Sequence, residues 1–357
     1  MRGELLGWAD RFETISSTGE PKRFALLIFR WGEAPDEPLT QSFDTFNGSR
    51  GRSPHQKLFV NWIEASLLSA LFLGVYDLCI KHAIRDNAVL PILFWSTLTG
   101  AAVWTTLLLV QVAHPGLLPV SLVTDPLTPV QHLQLLLKSA IVASSWIFTY
   151  FGLKHLPLSL GSPIRATTPL WTLFGALLIL GERPDGLQLL GVITTLVAFF
   201  GLSMAGRLEG VHFHRDKWVG FLLAGTMLGA VSSLYDKYLL ARAHFSVPTV
   251  QCWFSIYLVV LFTPFAIGWQ RRWWKRNVFH WRWTIPVIAL SLLVADYIYF
   301  WALRQPGSLV SVVMSLRRGN TLVAFAGGLL LLGERSNWQK ILAAIGILAG
   351  IAITVMG

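Results

Sequence analysis

Charge is scarce in this chain. Only 13% of its 357 residues are Asp, Glu, Lys or Arg, whereas 54% are hydrophobic and the mean hydropathy is +0.55. A soluble domain carries roughly a quarter of charged residues, so this composition excludes one and indicates an integral membrane protein. Cysteine is scarcer still. Cys79 and Cys252 stand singly inside apolar runs, without metal-ligand spacing, which excludes both a disulfide framework and a zinc centre. Enzyme signatures are missing as well: there is no P-loop, no HExxH and no GxSxG, so neither a nucleotide hydrolase nor a serine or zinc hydrolase is expected. No enzyme, no cofactor and no metal follow from these residues.

Acidic groups are the third shortage, 19 against 29 Lys and Arg, for a net charge of +10 and a pI near 9.9. The excess does not indicate a nucleic-acid binder. The basic residues sit in loops beside apolar runs, which is the charge bias of membrane proteins, so the expected partners are a lipid bilayer and a small molecule, with no nucleic acid. The loops do not settle the orientation, because Arg207, Arg215 and Lys217 argue for one side while Arg183, Arg242 and Arg304 argue for the other. The segment WQRRWWKRNVFHWRW at residues 269–283 reads as an aromatic belt with a basic surface for anionic head groups.

Residues 1–57 are polar and broken by Gly, Pro, Ser and Asp, and their longest apolar run, residues 24–29, is too short to span a bilayer. They read as a loosely ordered N-terminal tail. From residue 58 onward come ten apolar segments, the first at 58–80 and the last at 341–356. Each has about the twenty residues that cross a hydrocarbon core of about 30 Å.

The chain is written twice. LGSPIRATTPLWTLFGALLILGERPD at residues 160–185 returns as VVMSLRRGNTLVAFAGGLLLLGERSN at residues 312–337, with Arg165 matching Arg317 and Glu182 matching Glu334 at one offset of 152. Tyr76-Asp77 matches Tyr235-Asp236 at an offset of 159, and Leu153-Lys154 matches Leu303-Arg304 at 150. Spans one to five therefore match spans six to ten. An odd number of spans per copy makes the copies cross the membrane in opposite senses. The expected fold is all-α: ten transmembrane helices as two inverted five-helix repeats, residues 58–206 and 218–357, joined by a linker at 207–217.

Candidate site residues are the charges inside the apolar runs. Arg165, Arg317 and Arg318 converge on a central cavity and bind a carboxylate or phosphate through their guanidinium forks, or else they snorkel or pair with internal acids. Asp296, deep in span eight, is a counter-ion to Arg317, a proton-coupling group or a ligand for a cation. Lys81, Tyr235 and Lys237 line or gate the substrate site, or are ordinary charge at helix ends. The Gly-Glu-Arg turns suit tight interhelical turns with interfacial anchoring. Gly346 and Gly350 permit close helix packing, either within the chain or across a homodimer.

Two inverted halves of five spans, each with a fourth helix running into an LGER turn (TTPLWTLFGALLILGERP and NTLVAFAGGLLLLGERS), resemble the drug/metabolite transporter superfamily and its EamA-type repeats. The resemblance covers about residues 58–357. Its basic pattern is similar to the sugar-phosphate/phosphate translocator branch, whose fourth helix carries a lysine where IRATTP places Arg165, and whose ninth carries a Lys-Arg pair where Arg317-Arg318 stand. Basic residues late in helices one and six correspond to Lys81 and Lys237. The arginines in place of lysine depart from that branch, and the doubled turn is more typical of bacterial EamA exporters.

The resemblance implies a secondary transporter in a bacterial inner (plasma) membrane, moving a small organic anion or phosphorylated metabolite by alternating access. Two alternatives stay open. One is an EamA-type exporter of amino acids or related zwitterions, and the other is a lipid-linked substrate flippase or a subunit of an envelope-building complex.

Overall fold

The computed structural model describes residues 61–85, 87–155, 164–165, 167–204, 217–273, 278–331 and 338–357, apart from the side chains of a few helical residues such as Lys81. The tail expected at residues 1–57 and all but the last residue of the linker expected at 207–217 lie outside the described residues, as does the second Gly-Glu-Arg turn with Glu334. Among the described residues all regular structure is helical. The order is α1 Trp62–Ile84, α2 Val89–Ala113, α3 Pro129–His155, α4 Thr168–Gly175, α5 Gly186–Met204, α6 Lys217–Lys237, α7 Val247–Gln270, α8 Thr284–Arg304, α9 Val310–Leu316, α10 Asn320–Leu331 and α11 Trp338–Met356. Helices α4 and α6 run on into π-turns, Ala176–Leu180 and Tyr238–Arg242, and a 3-10 turn, Arg317–Gly319, joins α9 to α10.

Six of these helical runs are long and apolar enough to cross a membrane: α1, α2, α3, α6 with its π-turn, α7 and α8. Shorter apolar helices are Thr168–Leu180, Gly186–Gly201 and Ile341–Met356. Local chemistry explains several starts. Asn61 caps α1 by accepting the Ile63 N–H at 3.4 Å. Pro169 and Pro248 sit in the first turns of α4 and α7, where a missing N–H costs nothing. Pro169 therefore opens a helix rather than breaking one.

The helices pair closely as α1 with α8, α3 with α6, α2 with α7 and α5 with α11, while α4 packs on α6 and α10 on α1. Glycine makes the α5–α11 crossing tight. A Cβ on Gly350 would overlap the Thr195 hydroxyl and lie 2.5 Å from its backbone nitrogen, and a Cβ on Gly191 would likewise overlap Thr354. Gly346 meets Ala198 in the same seam, so the small residues of α11 are occupied inside the chain. The opposite face of α5 carries Leu190, Ile193, Val197 and Phe200, all exposed, at the spacing of one helical stripe.

The first Gly-Glu-Arg turn is a clamp. Gly181, at φ +68°, takes the left-handed conformation that ends the π-turn. Buried Glu182 then accepts the N–H of Val310 at 2.6 Å and of Ser311 at 3.2 Å, and the Ser311 hydroxyl at 2.7 Å. A carboxylate on the free N–H groups of α9 also meets the positive end of that helix. Arg242, at the end of the α6 π-turn, donates to the Leu180 carbonyl at 3.1 Å beside it.

Replacing Gly350 by Val is expected to lower the thermal midpoint of the detergent-solubilised protein by an overpacking cost on the order of 1–3 kcal/mol. Gly201, whose added Cβ would meet nothing within 4 Å, is the control, and Gly201→Ala should be neutral or slightly stabilising. Equal midpoints for Gly350→Val and wild type would show that the crossing is looser than this.

Candidate functional site

Charges that a helix bundle buries must be matched inside it, and the largest set of them lines one cavity of about 270 Å³. Helices α1, α3, α4, α6, α8 and α9, with the turn at Arg317–Gly319, form its walls. Four cations line it, Lys138, Arg165, Arg317 and Arg318, against three acids, Asp77, Asp236 and Asp296.

The acids are all engaged. Asp296 on α8 accepts from Arg317 Nη2 at 3.0 Å, the counter-ion pairing that the sequence offered as one alternative for it. The Arg317 guanidinium also lies over the Tyr299 ring, 4.0 Å from its centroid. Asp236 on α6 pairs with Lys138 on α3 and accepts the Tyr299 hydroxyl at 3.4 Å. Lys138 is 1% exposed and sits over Phe254 and Phe300, 4.3 and 5.0 Å from their centroids. Asp77 on α1 accepts the Asn320 amide at 2.6 Å.

Two cations remain. Among the described residues neither Arg165 nor Arg318 makes an ion pair or a hydrogen bond, although both feel the charge of Asp77, and the Nε atoms of Arg317 and Arg318 are buried without hydrogen-bond partners. Arg165 is exposed, while Arg318 is half-buried with Phe199 5.8 Å from its guanidinium carbon. Such an arrangement presents donor groups, in a low-dielectric wall, to an anion in the cavity.

Tyr235 and Lys237 do not line this cavity. Successive helical residues point about 100° apart, so the register that aims Asp236 inward turns both neighbours away. Tyr235 donates to the Gln134 carbonyl at 3.3 Å and stacks on Tyr238. Lys237 binds the end of α8 and the loop after it, donating to the Leu303 carbonyl at 3.0 Å and to the Ser308 carbonyl and hydroxyl at 2.6 Å each. Lys81 lies on α1, but its side chain is outside the described residues. Lys138, by contrast, is a site residue that the repeat did not flag. A lone cation inside LLLKSAIVA was the available signal, with no counterpart in the second half to draw attention to it.

The buried Lys138–Asp236 pair makes a stability prediction. Lys138→Met or Asp236→Leu alone leaves an uncompensated buried charge, at a cost of about 3–5 kcal/mol, whereas the double variant removes both. Thermal midpoints should fall sharply in the single variants and recover most of the loss in the double. Two silent single variants would mean that the pair is not holding α3 to α6.

Residues 61–204 match the EamA-like transporter family. No curated protein matches. A crystal structure of a protein that is 14% identical superposes with a TM-score of 0.62, covering 83% of this chain and 98% of its own, which shows the fold alone. The family match points to transport rather than catalysis, and with the apolar helices it makes this a multi-pass integral membrane protein. Residues 61–204 are thus similar to the EamA-like transporter family.

Proposed function

We propose that the protein is a secondary transporter that moves a small organic anion or phosphorylated metabolite by alternating access through the charged cavity. One observation carries the reading: the cavity pairs or hydrogen-bonds each of its three carboxylates internally and leaves Arg165 and Arg318 without an ion pair or hydrogen bond among the described residues. Cations held within a membrane-spanning bundle are costly unless something offsets them. A visiting carboxylate or phosphate does so, and guanidinium forks bind either in bidentate fashion. Arg165, Arg317 and Arg318 hold the anion, and Asp296 balances Arg317 when the cavity is empty. The doubled Gly-Glu-Arg turn favours a bacterial inner membrane as the setting.

The architecture that goes with this reading is ten membrane helices in two inverted five-helix repeats, residues 58–206 and 218–357, with α9 and α10 together forming the ninth. The helix pairing supports it, because exchanging the halves maps α1–α8 onto α6–α3, maps α4–α6 onto α10–α1, and leaves α2–α7 and α5–α11 unchanged. The glycine contacts obey the same exchange. Gly191 on Thr354 and Gly350 on Thr195 are mates at a single offset of 159.

A second reading has its own observation. Asp296 spends Oδ1 on Arg317, and its Oδ2 has no partner among the described residues, which suits the ammonium group of an amino acid held with its carboxylate on the arginines. Asp296→Asn separates the readings: it should cripple binding of a zwitterion and matter less to a pure anion.

The test is ligand-induced thermal stabilisation of the purified protein across inorganic phosphate, sugar phosphates, nucleotide sugars and amino acids, followed by counter-flow in proteoliposomes. Arg318→Ala orphans no acid, so it should preserve folding while weakening an anionic ligand by roughly 10- to 100-fold, the worth of a charge-assisted hydrogen bond. Undiminished binding in Arg318→Ala would sink the site assignment.

A further inference from the structure

Beside the charged cavity lies a smaller recess of about 40 Å³ between α1, α2, α3, α7 and α8. Tyr76, Trp146, Phe254, Leu292 and Asp296 line both spaces, so they form a common wall. The remaining lining of the recess is mostly aliphatic, and apart from the Tyr150 phenol its polar side-chain groups offer acceptors. Ser96 and Thr97 donate their hydroxyl protons to the Leu93 carbonyl at 3.0 and 2.9 Å, and Ser255 donates to the Gln251 carbonyl at 2.7 Å. Each hydroxyl is left with lone pairs only.

Gln251 completes the set. It is 1% exposed, and its Nε2 donates to the Leu293 carbonyl at 2.6 Å, which decides the orientation of the amide because a carbonyl needs a donor opposite it. The other end, Oε1, is buried without a hydrogen-bond partner among the described residues. Buried acceptors are nearly always satisfied, and an exception calls for an explanation. Here the residue that carries the orphan atom lines a recess that shares a wall with the arginine cavity.

Resting on the anion reading above, we infer that the substrate is an organic anion with a small apolar body bearing an N–H or O–H donor: the anionic head binds in the arginine cavity, and the body enters the recess toward Gln251 Oε1. Size narrows the class further. An apolar cavity that takes a whole benzene is about 150 Å³, so 40 Å³ accepts the edge of one ring or a short branched chain and no fused ring system. Inorganic phosphate and unbranched dicarboxylates fill the charged part and leave the recess and its orphan acceptor unused.

The experiment holds the head group constant and varies the body. Thermal stabilisation of the full-length protein is titrated with inorganic phosphate, phenyl phosphate, and 3- and 4-aminophenyl phosphate, and in parallel with acetate, benzoate, and 3- and 4-aminobenzoate, on wild type, Arg318→Ala and Gln251→Met. Within the head-group series that binds, the phenyl compound should bind more tightly than the bare head, and one amino isomer more tightly again by about tenfold, or 1.4 kcal/mol. Gln251→Met should erase the amino advantage and keep the phenyl advantage. If that variant does not fold, the wild-type series decides by itself. Phenyl and amino compounds binding no better than the bare head, with Arg318→Ala still abolishing all of them, would overturn the recess while leaving the anion site standing. Binding that ignores Arg318→Ala would overturn the anion site, and this inference with it.

Discussion

An ion inside an apolar bundle loses its hydration, and only a partner at bonding distance restores part of what is lost. That constraint organises the centre of this protein. Asp296 meets Arg317, Asp236 meets Lys138 and Asp77 meets Asn320, so α1, α3, α6, α8 and the stretch from Arg317 to Asn320 are drawn to one cavity by these polar pairs. The aromatic rings of Tyr299, Phe254 and Phe300 reinforce the cations from the sides that carry no acid. Removing any one partner exposes the other, which is why the cavity is both polar and rigidly specified.

Around that centre the helices are held by contacts of a different kind. Glycines remove side chains where α5 crosses α11 and where α3 crosses α6, letting Ser145 reach the Gly225 carbonyl at 2.7 Å. Elsewhere the bonds run from side chains to helix ends: Glu182 from the end of α4 to the start of α9, and Lys237 from the end of α6 to the end of α8. A glycine seam cannot open without losing its packing along a whole helix. A carboxylate on two N–H groups can exchange them for water at a helix end, and the alternating cycle that we propose would use both sorts of contact, one to stay and one to change.

The two regions that we propose bind the substrate follow from this division of labour. Cations surplus to the internal pairing create demand for an anion, and acceptors whose protons are already spent create demand for a donor.

The amino-acid sequence by itself determined the class of protein and the apolar runs, and it showed the recurring motifs and the charges of Arg165, Arg317, Arg318 and Asp296 inside those runs. Such features are local or periodic, and each is legible because a charge or a repeat stands out against an apolar background. Only the tertiary structure decided the rest. Tyr235 and Lys237 looked like site residues beside Asp236, yet one residue of helical register points them elsewhere. Lys138 was invisible to a search guided by the repeat, and Glu182 read as a turn residue until α9 arrived to be capped. Gln251 carries no signal in sequence at all. Its role depends on which of its two amide atoms finds a partner, and that partner, the Leu293 carbonyl, lies 42 residues away along the chain and is brought near only by packing.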